Sequence, residues 1–228
     1  MTPHPAYVTR KESVMTRTLH RTLILAALAI PAIASAVHAQ PATAGAPRAP
    51  EISTEALSAQ DREVLSAAEQ LANDATQVIE QWIITQATTE DRVFSRLYFP
   101  IPKTDPQKYA TAYDALADRD LIGPEDKALA RAATLQYAIV TDINGYVPSH
   151  NTRFAQPMTG VMAQDYVNNR TKRMLGDLAS VIAARNESRF LIQRVKLETG
   201  DVIYDLSVPV TVKGKHWGCA RIGYRRTE

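Results

Sequence analysis

The side chains best suited to chemistry lie in the second half of the chain. Tyr146, His150 and Asn151 fall within six residues, Arg170 and Arg173 are three apart, and Asp205 follows. An arginine acting with a tyrosine hydroxyl and a histidine can clamp a carboxylate, because charge-assisted hydrogen bonds are strong and directional. The same arginines would serve equally well on a solvated helix face or in ion pairs with Asp177 or Asp205. No G-x-S-x-G, HExxH, Walker A or glycine-rich dinucleotide run occurs, so no enzyme is expected. Asp205, His150 and Ser207 can be drawn as a triad, but proximity in sequence is not geometry. Beyond residue 39 the histidines are His150 and His216, and Cys219 is the only cysteine in the chain. No cofactor is therefore expected, whether zinc, haem or an iron–sulfur cluster. His216 and Trp217, at the start of a strand, read as a packed pair with hydrogen-bond partners.

These residues need elements to position them. Ser58 and Asp61 form a weak capping box that opens a long helix over 58–84. Val64, Ala68, Leu71, Ala75, Val78 and Trp82 make a heptad-like stripe on it, and Leu65, Ala72, Ile79 and Ile83 widen that stripe. Such a helix can pack on its own domain and on a second copy of the chain, so a homodimer through 58–84 is one expectation and an intramolecular core the other. A second cap at Thr88 and Asp91 starts a short helix, which Pro100, Pro102 and Pro106 end. Helical spacing resumes over 109–121, breaks at Gly123-Pro124, and resumes over 125–133. Residues 135–141 and 146–147 read as a hairpin about Asp142–Gly145. Residues 165–184 read as mostly helical. Three extended runs follow, 190–198, 202–212 and 216–224, joined by tight turns. The fold class is α+β: a long N-terminal helix and short helices on a five-stranded antiparallel sheet.

Residues 15–39 read as a secretory signal. Arg17 and Arg21 precede an apolar run from Leu23 to Val37, and Val37-His38-Ala39 fits a cleavage site, giving a mature start at Gln40. The competing reading is an uncleaved anchor, although the run is shorter than the ~20 residues a span needs. Met15 is an alternative start. The Pro-, Ala- and Gly-rich stretch 40–52 reads as a linker and 53–228 as one domain. The chain belongs, on this reading, in the periplasm or outside the cell. Residues 40–149 carry 9 basic and 16 acidic residues, and residues 150–228 carry 13 and 7. That near balance gives no reason to expect nucleic acid. The asymmetry points either to a ligand or to attraction between the halves.

Four stretches resemble the extracytoplasmic sensor region of bacterial methyl-accepting chemotaxis proteins, a PAS-like fold called a single Cache domain. They are Thr141-Asp-Ile-Asn-Gly-Tyr-Val-Pro-Ser-His-Asn151, Phe154-Ala-Gln-Pro-Met-Thr-Gly160, Asn169-Arg-Thr-Lys-Arg173, and Asp205-Leu-Ser-Val-Pro-Val210 with His216-Trp-Gly-Cys-Ala-Arg-Ile-Gly-Tyr224. Phe99-Pro-Ile-Pro102 and Tyr113-Asp-Ala-Leu-Ala-Asp118 are similar too. The resemblance covers roughly residues 60–225. It implies a ligand-binding sensor for a small, anionic metabolite that acts through a membrane receptor or sensor kinase, because the relay and cytoplasmic parts of those receptors have no counterpart here. A small or aromatic residue usually stands where Cys219 does, so Cys219 reads as a buried small hydrophobe. The expected pocket lies between the sheet and 165–184, with Arg173, Arg170, Tyr146 and His150 as its polar contacts.

Overall fold

A computed structural model of the chain describes residues 51–52, 56–196 and 201–227. The signal-peptide reading and the turn before Asp201 lie outside the described residues. Among those residues, no helix is long and apolar enough to cross a membrane.

Helix α1 (Ala59–Ile84) begins where Ser58 and Asp61 cap each other's backbone N–H groups reciprocally. Its stripe, from Val64 through Leu71 to Ile79 and Trp82, is buried in the protein's own core. Of the stripe residues, Val78 and Ile83 remain half-exposed, and Ile84 beside them is exposed. A second copy would therefore find that face already occupied, apart from its C-terminal end. Helix α2 (Glu90–Val93) is capped by Thr89, not Thr88.

Strands β1 (Glu51–Ile52), β2 (Phe99–Ile101) and β3 (Lys108–Ala110) precede helices α3 (Asp114–Asp120) and α4 (Ile122–Leu129). The helix expected over 109–121 is thus shortened. Asp114 accepts from the Thr111 N–H (2.9 Å) and hydroxyl (2.7 Å), so the backbone turns before helix can start. Pro124 does not break the next helix but sits in its first turn, where a missing N–H costs no intrahelical bond.

Strands β4 (Leu135–Asp142), β7 (Leu191–Lys196), β8 (Val202–Val212) and β9 (Lys215–Tyr224) form an antiparallel sheet in the order β7-β8-β9-β4, and β1 pairs along the outer edge of β7. The β1 pairing falls at the end of the stretch that composition marks as linker. Strand β5 (Tyr146–Val147) is not in this sheet. It pairs with β6 (Arg173–Met174) instead. The outer edge of β4 is already closed by side chains: Asn151 Oδ1 accepts the Ala138 N–H (2.9 Å) and Glu125 Oε1 the Val140 N–H (3.0 Å). An edge strand satisfied in this way has no donors left for a hairpin partner at those positions. Gly145 makes the turn between them with φ +78°, and a Cβ there would stand 2.6 Å from the Leu175 carbonyl oxygen.

The single helical stretch expected over 165–184 is in fact three elements: α5 (Met162–Asn168), β6, and α6 (Leu178–Ala184). Asp177 restarts the helix by accepting from the Ser180 N–H (3.0 Å). At the far end of the fold the chain returns to its beginning. The Asp61 carboxylate accepts from the Tyr224 hydroxyl (2.6 Å) and from Arg226 (3.1 Å), and Gln60 accepts from the Thr227 N–H (3.0 Å).

Candidate ligand-binding face

Strand alternation gives the main sheet two unlike faces. Ala138, Val140, Ile192, Leu206, Val208, Val210, Ala220 and Ile222 point toward α1 and form the apolar core. The opposite face carries Tyr137, Thr141, Gln193, Asp205, Ser207, Cys219 and Arg221, and all but Tyr137 are buried. Helix α6 covers part of it: Ala183 and Ala184 pack on Cys219, and Gln193 Nε2 donates to the Ala179 carbonyl (2.9 Å).

Asp205 is held by Arg221 across the β8–β9 ladder, with Arg221 Nε 3.0 Å from Asp205 Oδ2 and Nη2 on the same oxygen. Burial opposes the charge on Arg221, but Asp205 outweighs it and keeps the guanidinium pKa above its ordinary value. Burial and the nearby Asp205 carboxylate raise the pKa of the Tyr137 hydroxyl. Its ring lies on Gly223, where an added Cβ would stand 2.2 Å from Tyr137 Cε1. Burial pushes the Cys219 thiol up to about 12, so it stays protonated at neutral pH.

The loop after β5 carries the second cluster. The His150 ring meets the Phe154 ring edge-on at 5.0 Å. The Arg170 and Arg153 guanidinium carbons stand 4.1 and 4.4 Å from the Phe154 centroid. Both guanidiniums therefore stand within cation–π range of the same phenyl ring. Arg153 donates to the Gln136 carbonyl and Arg170 Nε to the Val167 carbonyl (3.1 Å). Among the described residues no carboxylate forms an ion pair with Arg153, Arg170 or Arg173. His150 is buried, and its Nδ1 has no hydrogen-bond partner. Burial, then Arg170, Arg153, Arg173 and Lys108, push its pKa down to about 3, so the ring is neutral.

The six residues singled out in the sequence therefore part company. His150 and Arg170 meet at Phe154. Tyr146 is wholly buried among Tyr98 and Tyr113, and its hydroxyl is spent on Asp114 (2.8 Å). Asn151 closes the edge of β4. Arg173 Nη2 lies 2.9 to 3.1 Å from the carbonyls of Asp165, Tyr166 and Asn169, so it caps the end of α5. Asp205 belongs with Arg221 on the sheet. The sequence reading missed Tyr137, Arg153, Phe154, Gln193 and Arg221 as site residues, and it weighed Ser207 only as a member of a paper triad. It also missed Lys108, whose buried ammonium donates to Asn169 Oδ1 (2.6 Å) and the Thr171 carbonyl (2.5 Å), and whose pKa burial and Arg173 lower to about 8. Among the described residues, no group of His, Cys, Asp and Glu side chains could hold a metal ion. No protein-family model matches the chain, and no curated protein matches it.

Proposed function

We propose that this chain is an extracytoplasmic ligand-binding sensor domain of the PAS-like, single-Cache kind, without catalytic activity. It binds a small anionic metabolite and reports to a membrane receptor or sensor kinase. The observation that carries the reading is the uncompensated positive charge at Phe154. Two guanidiniums with no acid partner stand beside a buried, neutral histidine whose Nδ1 is unengaged. Such a cluster attracts a carboxylate and gives it directional donors. The long α1 and the five antiparallel strands agree with that fold type. A homodimer, if α1 forms it, uses Val78, Ile83 and Ile84 at its exposed end.

The test is calorimetry with a panel of short organic acids on the wild type and on Arg170→Ala. At least one acid should bind the wild type. Removing the charge-assisted contact should cost about 2–5 kcal/mol, well over tenfold in affinity, with the melting temperature unchanged. Arg170 is the arginine to remove, since Arg173 is engaged with α5. If no acid binds, or if the variant binds equally well, the anion reading fails.

A second reading is a structural or scavenging protein with a filled core. Tyr113, Tyr146 and Trp217, all fully buried, favour it. A thermal-shift screen separates the two, because a ligand that binds only the native state raises the melting temperature.

A further inference from the structure

The polar face of the sheet holds a feature that anion recognition does not use. Gln193, Ser207 and Arg221 are at most 3 % exposed. Strand register makes them neighbours: Ser207 lies directly opposite Arg221, and Gln193 lies opposite Asp205, two residues along β8. Each keeps one polar atom with no hydrogen-bond partner, namely Gln193 Oε1, Ser207 Oγ and Arg221 Nη1. The remaining polar atoms of Gln193 and Arg221 are engaged, Gln193 Nε2 with Ala179 and Arg221 Nε and Nη2 with Asp205. Buried polar groups in folded proteins are almost always paired, so three orphans side by side call for a cause.

We propose that these three atoms form a buried seat for a small neutral molecule carrying a hydrogen-bond acceptor beside a donor, the chemistry of a primary amide or lactam. Arg221 offers an N–H to the carbonyl oxygen. Gln193 offers a carbonyl to the amide N–H, an orientation fixed by its bond to Ala179. The Ser207 hydroxyl lies opposite Arg221 and can rotate to serve either group. Charge decides against a carboxylate here. Asp205 already balances Arg221, so an anion would bring an unpaired charge into a buried site. Size is limited by α6, which buries only small side chains, Ala179, Ser180, Ala183 and Ala184, on this side. The seat is independent of the Phe154 cluster and does not rest on the anion reading.

The experiment is calorimetry and thermal shift of the purified protein with acetamide, 2-pyrrolidone and succinimide, with acetate as the charged counterpart of acetamide. At least one neutral amide should bind with one-to-one stoichiometry, and acetate should bind this seat at least tenfold more weakly than acetamide. Ser207→Ala and Gln193→Met should each lower amide affinity about tenfold, whereas Arg170→Ala should leave it unchanged and weaken only acid binding. Should Gln193→Met fail to fold, Ser207→Ala and the acetamide–acetate comparison decide. The proposal is overturned if no amide binds, if acetate competes at the seat as well as acetamide does, or if folded Ser207→Ala binds as the wild type does. In the first case an internal water on the three atoms becomes the explanation.

Discussion

Glu125 has no solvent exposure. Its Oε1 accepts from the Val140 N–H and from the Ser149 hydroxyl (3.1 Å), while Oε2 has no partner. Burial, with Asp126 acting the same way, raises its pKa from 4.5 to about 8, against the two hydrogen bonds and Lys172. A carboxyl raised on folding supports the fold fully below its unfolded value and loses that support as pH climbs through the folded one. Stability should therefore fall between about pH 4.5 and 8, by at most ~1.4 kcal/mol per unit. Urea titrations across that range should show the slope in the wild type and lose most of it in Glu125→Gln. An unchanged slope would place the titration elsewhere. His150 acts on the other limb. Its depressed pKa means that support is present above the unfolded value near 6.5 and drains away as pH falls toward 3. At this scale the sequence shows which residues are polar and not what they are spent on. Tyr146 and Asn151 follow a strand end, as ligand contacts often do, yet one anchors a core aromatic cluster and the other closes a sheet edge. No local spacing distinguishes those uses from recognition.

Elements were more legible, because hydrophobic period and capping chemistry act over short stretches. The Ser58–Asp61 box and the 3–4 stripe of α1 are visible in the sequence, and both are present in the fold. Leu71, only 1 % exposed, sits in the middle of that stripe. Leu71→Asp buries an unpaired charge, and about 4 kcal/mol or more of destabilisation is expected. Circular dichroism should show loss of the fold, whereas Ile84→Asp, at an exposed site, should stay folded and report only on self-association. Register was less legible, for a definite reason. Counting back from the Lys213-Gly214 turn pairs Leu206 with Arg221 and would leave the arginine on the apolar face. Opposite the Val210–Thr211 step, β9 carries one extra residue, Trp217, between His216 and Gly218; it shifts the pairing by one, so Ser207 meets Arg221 and Leu206 meets Ile222. That irregularity assembles the polar face, and nothing in the composition of the two strands announces it. The strand pairing of β5 was hidden for a similar reason. Its competitors for the β4 edge, Glu125 and Asn151, lie outside the hairpin itself.

Across the whole molecule, the acidic first half and basic second half meet in ion pairs: Lys172 with Asp118 (2.7 Å), Arg189 with Glu69 (3.0 Å), Lys215 with Glu90 (2.6 Å) and Arg226 with Asp61. Part of the charge asymmetry is thus answered within the chain, whereas Arg153 and Arg170 around Phe154 have no ion-pair partner among the described residues. The most central of these contacts is Asp61. Burial raises its pKa, but hydrogen bonds from Tyr224, Ser58 and Arg226 outweigh that and hold it below the ordinary carboxylate value. Asp61→Asn should cost about 1.5–3 kcal/mol, the range for hydrogen bonds to a charged group. Chemical denaturation measures the loss, and limited proteolysis should cut first near Arg225 and Arg226. A variant as stable as the wild type would show that the contact is incidental.

The same carboxylate joins residues 58–61, where α1 begins, to residues 224–227, where β9 ends and the chain leaves the sheet. With the edge strand β1 given up, a few glycines could bridge Thr227 to Ser58, and the exposed Lys213-Gly214 turn could be opened to supply new ends. Read as an engineering part, the domain is a closed loop of chain that can be cut elsewhere, or set into the surface turn of a host protein without prising the host apart.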